Sequence, residues 1–378
     1  MASRCESFLQ ASSFAHVCGD SCACNPDFQE SGDRERARQG QMPDISIIIV
    51  NYNGIALLRG CLDSVLRQTY RDYEVILVDN GSGDGSGEFV ASNYPGVMLI
   101  SLEFNTGFTG GNLAGLAHAR GEHVVLLNND VVLPPEWLGL MRSAVTADEE
   151  VGYCSARIVI AGSNLLDSAG DFFTTAFSGT KVGELHSQDE FTNGRFVPGA
   201  CAAAVIYRRV MLDDVGFLDE DFFLNHEDTD LNLRAWLAGW KCLYVPEAIA
   251  YHKVSTTIGK MSDVSVYYFA RNSLWVWIKN VPASLMVRYL LHRLAYEVFS
   301  AVYFCLVAKK WRPFLRGKYD SIAGIPKMWR KRQAVQAKKR LSNREITSQL
   351  IPLHHYVAER LRLMRHAKNR VAGQDKRV

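Results

Sequence analysis

The run Val124-Val125-Leu126-Leu127-Asn128-Asn129-Asp130 joins an apolar stretch long enough for one buried strand to two amides and a carboxylate. Such a strand delivers Asp130 to its carboxyl end, where open α/β sheets hold their ligands. A carboxylate there, beside amide oxygens, suits a hard divalent cation that also carries a substrate's phosphates. Two further acidic clusters, Asp79-Asn80-Gly81-Ser82-Gly83-Asp84 and Glu227-Asp228-Thr229-Asp230, point to what that cation would serve.

Asp79 ends an apolar run and opens a Gly-rich turn. Backbone N–H groups in such a turn can approach a nucleotide, while the carboxylate accepts from a ribose hydroxyl or a base N–H. The plainer alternative is an ordinary tight turn. The Gly-Lys-Ser/Thr ending of a phosphate loop is missing, and so is the dinucleotide glycine spacing. Asn105-Thr106-Gly107-Phe108-Thr109-Gly110-Gly111-Asn112 places three glycines before a helix, which permits close approach of a diphosphate to the helix N-terminus. Flexible punctuation of a helix start is the simpler reading. Glu227-Asp228-Thr229-Asp230 begins a helix, where acidic residues also serve as caps. His252, at an apolar strand end, suits a ligand or a core histidine. Cys18, Cys22 and Cys24 lack a second ligand pair at a metal-site spacing, so zinc is not expected there.

These residues need elements to position them. Residues 45–50, 73–78, 97–102 and 122–127 read as buried strands, with helical spacing over 57–66 and a short helix over 110–119. Strands alternating with helices imply right-handed parallel units and a doubly wound α/β sheet. Beyond residue 151 the pattern loosens. Strands are expected over 153–160 and 196–207, with a polar stretch between them covering the site. A helix follows over 229–237 with Gly239 as its C-cap, then two short strands, 241–245 and 248–252, around Pro246.

The chain has 378 residues, 48% of them hydrophobic, enough for a full core and a second, smaller unit. Its net charge of +2 hides an asymmetry: residues 309–378 hold 20 Lys+Arg against 4 Asp+Glu, and the rest 22 against 36. An acidic body with a basic tail implies two surfaces with different partners. Among nine cysteines, Cys61, Cys154, Cys201, Cys242 and Cys305 sit among apolar residues and read as small buried hydrophobes in a reducing compartment. Residues 1–42 are polar, without a signal-peptide core, and read as a disordered leader. Residues 285–308 are apolar but include Arg288, His292, Arg293 and Glu297. Their longest clean run, 298–308, is shorter than the ~20 residues of a bilayer span. With Lys309, Lys310, Trp311 and Arg312 following, this reads as a helix lying in a membrane interface on acidic lipids; the alternative is a buried helix packed on the body. No nucleic-acid reading module is evident, so no nucleic-acid partner is expected.

Together the pieces resemble family 2 glycosyltransferases with a glycosyltransferase-A fold, particularly the rhamnosyltransferase-like branch. The residues that carry the resemblance are Ser46-Ile47-Ile48-Ile49-Val50-Asn51-Tyr52-Asn53, Val78-Asp79-Asn80-Gly81-Ser82, Asn105-x-Gly107-Phe108-x-x-Gly111-Asn112, Leu127-Asn128-Asn129-Asp130, Gly199-Ala200, Gly216-Phe217-Leu218-Asp219-Glu220 and Glu227-Asp228-x-Asp230-Leu231-x-Leu233-Arg234, followed by Gly239, Pro246, His252 and Arg271-Asn272. It covers residues 44–332. The resemblance implies a mostly parallel Rossmann-like sheet in a catalytic domain over 43–262, a helical membrane-interface region over 263–340, and a basic tail over 341–378.

It also implies roles. Asp79 and Asp84 would hold the nucleoside, Asn105, Gly107, Phe108, Gly111 and Asn112 would line the diphosphate, and Asn51, Asn53, Asn80, Asn128 and Asn129 would be further substrate-binding residues. Asp130 and His252 would bind Mg²⁺ or Mn²⁺. Asn128 stands where the family's metal motif has its first acidic residue, a departure that removes one formal charge. Asp228 would be the catalytic base of an inverting transfer, ionised at neutral pH by its reference pKa of ~3.9. Glu227 would shape the acceptor pocket, and Arg234 and Arg271 would make phosphate or structural contacts. The implied reaction moves a sugar, rhamnose by branch, from a nucleoside-diphosphate sugar to a saccharide or a polyprenyl-diphosphate-linked acceptor at the cytoplasmic face of the membrane. The alternatives are a sugar-phosphate nucleotidyltransferase releasing pyrophosphate and a non-catalytic polyanion-binding protein.

Overall fold

The computed structural model describes residues 42–254 and 261–374. The expected leader and the trio Cys18, Cys22 and Cys24 lie outside the described residues. Aliphatic runs buried on both faces form the centre of a parallel sheet. Its strands are β1 (Ile45–Asn51), β2 (Tyr73–Asn80), β3 (Met98–Leu102) and β4 (His123–Asn128), joined by helices α1 (Ile55–Leu66), α2 (Ser86–Asn93) and α3 (Gly107–Leu116). β2 and β3 lie on one side of β1 and β4 on the other, all parallel. The strand order therefore reverses beside β1, which opens a crevice at the carboxyl ends of β1 and β4.

The sheet then grows through β5 (Val131–Val132), helix α4 (Trp137–Thr146), β6 (Val151–Ile160), β7 (Leu166–Ser168), β10 (Arg195–Val197) and β11 (Ala204–Arg208). Helices α5 (Arg209–Val215) and α6 (Glu227–Leu237) follow, with β12 (Lys241–His252) last. The full order is β10-β12-β6-β11-β4-β1-β2-β3, with β11 antiparallel to both neighbours. A separate ribbon, β8 (Asp171–Phe173) and β9 (Gly179–Lys181), rises from the polar stretch.

Three expectations change. The strand over 196–207 divides into β10 and β11, which pair with different neighbours, and Pro198, with no N–H to donate, stands at the break. The helix over 110–119 starts earlier, at Gly107, so Gly110 and Gly111 lie inside it. A Cβ on Gly111 would come within 2.6 Å of Val50, so the bare backbone lets α3 sit directly on β1. The two short strands around Pro246 are one strand whose register against β6 shifts between Val245 and Ile249. Gly239 caps α6 as expected: at φ 87° its N–H donates to the Trp236 carbonyl (2.9 Å), and Trp240 N–H donates to Ala235 (3.0 Å).

The remaining chain is helical: α7 (Asp263–Asn280), α8 (Ala283–Val302) running into a π-helical turn (Tyr303–Val307), α9 (Trp311–Ala323), α10 (Ile325–Lys338), α11 (Asn343–Gln349) and α12 (Leu353–Gln374). Trp275, Trp277, Met328, Val335 and Ile346 share one buried cluster with Phe222, Leu233, Trp236 and Leu237 of the body. Some of the basic residues pair with the acidic body: Lys331 reaches Asp219 (2.5 Å) and Asp221 (2.7 Å), Arg340 reaches Asp214 (3.0 Å) and Arg360 reaches Glu184 (3.3 Å). Part of the basic excess is thus taken up by the acidic body itself.

Helix α8 turns Leu285, Tyr289, Arg293 and Tyr296 inward, while Val287 and Leu291 stand 79% and 77% exposed on the other side. Ala283–Val307 is long and apolar enough to cross a bilayer by length and composition, although the run 298–308 alone is not.

Candidate active site

The crevice opens into a cavity of about 780 Å³. Of the residues singled out in the sequence, Asn80, Asn105, Gly107, Phe108, Asn128, Asn129, Asp130, Asp228 and His252 line it. The short strand β5 explains how Asp130 meets His252. Its two residues pair with the end of β12, Val131 beside His252, so the turn before β5 places Asp130 Oδ1 3.2 Å from His252 Nε2. Behind the imidazole, Nδ1 lies 3.0 Å from Asp167, a fully buried carboxylate that also takes Lys181 at 2.7 Å. Burial opposes charge on His252, but the hydrogen bonds to Asp130 and Asp167 outweigh it and push its pKa up to about 9. Burial likewise opposes charge on Asp167, and Lys181 and His252 overcome it, holding this carboxyl well below the usual range.

This arrangement fits a divalent cation. Asp167 holds Nδ1 so that Nε2 faces Asp130, as a carboxylate behind a metal-ligating histidine orients its ring. No group of three or more His, Cys, Asp or Glu able to hold a metal occurs among the described residues. An oxygen and a nitrogen donor alone leave room for ligand oxygens.

Asn51 and Asp79 sit behind the cavity wall. Asn51 Nδ2 donates to Asp79 (3.2 Å), and Asn129 Nδ2 donates to Asn51 (2.8 Å), so an amide chain ties the turn before β5 to β2. Asn80 Nδ2 donates to the Gly107 carbonyl (2.9 Å), and its Oδ1 accepts from Thr106 N–H (2.9 Å), which sets the 105–108 loop. Asn53 accepts from Gly83 N–H (2.8 Å) and shapes the turn. Asp84 does not face the cavity: one oxygen takes Ile55 N–H (3.0 Å) and the other Ser86 N–H (3.1 Å), pinning two helix starts. Gly111 and Asn112 lie within α3, and Asn112 Nδ2 donates back to Phe108 (2.8 Å).

Asp228 enters the cavity from the first turn of α6. Its Oδ1 accepts from Thr229 N–H (2.6 Å) and Thr229 Oγ1 (3.2 Å). Burial raises its pKa against these bonds. Glu227 points away from the cavity, 7% exposed, and its Oε2 has no hydrogen-bond partner. Burial and then the charge of Asp228 push it up to about 8, so one carboxyl of the pair stays protonated at neutral pH.

The loop before α6 is held in left-handed backbone conformations at Phe223 (φ 61°), Asn225 (φ 63°) and His226 (φ 69°), each costing on the order of 1–3 kcal/mol. Asn272 over-determines it, its Nδ2 shared among the carbonyls of Phe222, Leu224 and Asn225 at 2.7–2.8 Å. Arg271 spends its guanidinium on the carbonyls of Asp221 and Phe222 and stacks over Trp275. Arg234 spends its own on Asp230 and the carbonyls of Val215, Gly216 and Phe217. Neither lines this cavity, and their contacts are structural rather than to phosphate. The same loop touches α3: Phe223 O accepts from Thr109 N–H (3.2 Å), and a Cβ on Gly107 (φ 77°) would fall 2.4 Å from that oxygen.

Asp167, Asp171 and Lys181 were not anticipated. They lie in the 161–195 stretch, where no periodicity or motif flags them. Asp171 lines the cavity, and burial and then the charge of Asp228 push it up to about 7.

Residues 46–216 match the family described as Glycosyl transferase family 2. An uncharacterized glycosyltransferase of Bacillus subtilis, YwdF, is 32% identical over 197 residues, 50% of this chain and 67% of that protein. The N-acetylglucosaminyl-diphospho-decaprenol L-rhamnosyltransferase of Mycobacterium tuberculosis is 27% identical over 237 residues, 56% of this chain and 77% of the relative. Of a longer Sinorhizobium fredii protein, 31% identical over 234 residues, the chain spans 25%. Among solved structures, GalNAc-T7 with UDP, GalNAc and Mn²⁺ superposes with a TM-score of 0.50 at 15% identity, over 68% of this chain and 58% of the other, a likeness of fold.

Proposed function

The chain belongs to glycosyl transferase family 2 and has the glycosyltransferase-A fold, and from that premise we propose that it is an inverting transferase with Asp228 as its base. The acceptor hydroxyl attacks the anomeric carbon of a nucleoside-diphosphate sugar, its proton passes to Asp228, and the bond from that carbon to the diphosphate oxygen breaks as the nucleoside diphosphate leaves. The carrying observation is that Asp228, the Asp130–His252 pair and the 105–108 loop line a single cavity. Of the two neighbouring carboxyls, Asp228 is the one that lines the cavity, so it is the proton acceptor within reach of the acceptor hydroxyl. The 105–108 loop supports the diphosphate, while Asp79 and Asn51 support the nucleoside side. Asp130 and His252 would hold Mg²⁺ or Mn²⁺, which when bound stabilises negative charge on the leaving diphosphate.

The similarity to a mycobacterial rhamnosyltransferase favours rhamnose, from a thymidine diphosphate donor, and a lipid-linked saccharide acceptor. The nucleotidyltransferase alternative gives way to the family membership. The outward face of α8 and α9, with Trp311 half exposed and Arg288, Lys309 and Arg312 beside it, supports peripheral binding to acidic lipids at the cytoplasmic face. Replacing Asp228→Asn tests the reading. Transfer falls at least ~10²-fold, the scale of a lost general base, while nucleoside diphosphate still binds. Undiminished turnover in that variant would refute the assignment.

A further inference from the structure

One part of the cavity wall is of another kind. Beyond the carboxylates it is lined by Phe269 of α7, Phe299 of α8, Tyr303 and Phe304 of the π-helical turn, and Tyr356 and Leu363 of α12. All six lie outside the residues that match the family. Phe269 and Phe304 pack with ring centroids 5.3 Å apart, and Phe299 meets Tyr356 edge-on at 6.3 Å. The two long cations of the lining are already paired, Lys181 with Asp167 (2.7 Å) and Arg360 with Glu184 (3.3 Å). This region therefore offers apolar burial rather than positive charge.

The helix that builds it faces two ways. Phe299, Tyr303 and Phe304 point into the cavity, while Val298, Val302 and Leu306 on the opposite side are 63%, 47% and 71% exposed. The two apolar surfaces are thus separated by one helix, about 10 Å across. A π-helical turn at this point is itself a feature concentrated at functional sites.

We propose that this apolar arm binds the hydrocarbon chain of a lipid-linked acceptor, a reading that rests on the glycosyl-transfer function above and names the subsite for that substrate. The chain nearest the acceptor's sugar lies along Phe299, Tyr303 and Leu363, and the rest continues to the outward apolar face of α8. The shared chemistry is an alkyl or prenyl chain next to a phosphate or sugar.

The test measures binding of farnesyl diphosphate, dodecyl phosphate and inorganic pyrophosphate to the full chain by calorimetry, below micelle-forming concentrations. Each buried methylene contributes a factor of about four, so at least one amphiphile binds at least tenfold more tightly than pyrophosphate. Preference for farnesyl diphosphate assigns a prenyl carrier, and preference for dodecyl phosphate assigns an acyl one. Leu363→Glu or Phe299→Asp abolishes the advantage, whereas Leu291→Glu on the outward face keeps it. Equal affinity for all three probes in the unaltered protein overturns the proposal, as does chain binding lost in Leu291→Glu but kept in both arm variants. Sugar transfer without any dependence on acceptor chain sinks the arm and spares the transferase reading. Chain binding without transfer from any nucleotide sugar does the reverse.

Discussion

Replacing Glu227→Gln isolates the electrostatics of the carboxyl pair. Glu227 is buried, Oε2 has no hydrogen-bond partner, and burial and the neighbouring Asp228 charge hold its pKa near 8. In the unfolded chain the same group titrates near its reference value of ~4.3. Its folded pKa is therefore raised, so its contribution is fully present below pH ~4.3 and is lost as pH climbs toward 8. At ~1.4 kcal/mol per pH unit, the unaltered protein loses up to about 3 kcal/mol of stability from this group between pH 5 and pH 7. The glutamine variant has no proton to lose there. Its stability relative to the parent should rise across that interval by up to the same amount, read from denaturant midpoints at several pH values. Because Glu227 is already neutral at pH 7, transferase activity should stay within about threefold. Parallel stability curves for the two proteins between pH 5 and 8, or a loss of activity like that of Asp228→Asn, would refute the assignment of the proton to Glu227.

Three further perturbations test the supports of the site. Asn272→Ala removes the donor shared by three carbonyls of the 222–225 loop, so kcat should drop roughly tenfold and the thermal midpoint should fall, at an unsatisfied-group cost of ~1–3 kcal/mol; an unchanged kcat would show that the loop holds without it. His252→Ala should weaken Mn²⁺ binding at least tenfold by calorimetry while metal-free nucleotide binding stays within twofold, and unaltered Mn²⁺ affinity would remove His252 from the metal site. Leu291→Glu with Val298→Glu adds charge to the outward face of α8 and should abolish sedimentation with anionic vesicles without moving the thermal midpoint; continued sedimentation would place the membrane contact elsewhere.

The central strands were legible because they are buried on both faces, so Ile47, Ile48 and Ile49 had to be one uninterrupted apolar run. Asp130 and Asp228 were legible for a related reason, since each sits where a regular element ends in the crevice and its neighbours announce that end. At Asp84 the sequence is ambiguous, because a turn carboxylate looks the same whether its oxygens meet a ribose or, as here with Ile55 and Ser86 N–H, the backbone. Arg234 and Arg271 posed the same ambiguity, because a guanidinium serves carbonyls as well as phosphates. Asp167 and Asp171 were invisible for a different reason. Their surroundings come from β12, α6 and Lys181, brought together only by tertiary folding, and nothing in the local pattern of 161–195 encodes those neighbours.

The interlocking of the C-terminal helices with the body decides how a test of membrane contact can be built. Lys331 of α10 reaches Asp219 at 2.5 Å and Asp221 at 2.7 Å, and Arg340 reaches Asp214 at 3.0 Å. Met328, Val335 and Ile346 complete the cluster around Trp236 and Leu237. Truncation before α8 would therefore strip part of the interior of the catalytic body along with any anchor, leaving unpaired carboxylates and an open core. Such a fragment would aggregate, and its inactivity would carry no information about membranes. Any such test has to recolour the outward face of α8 and α9, residue by residue, with every helix left in place.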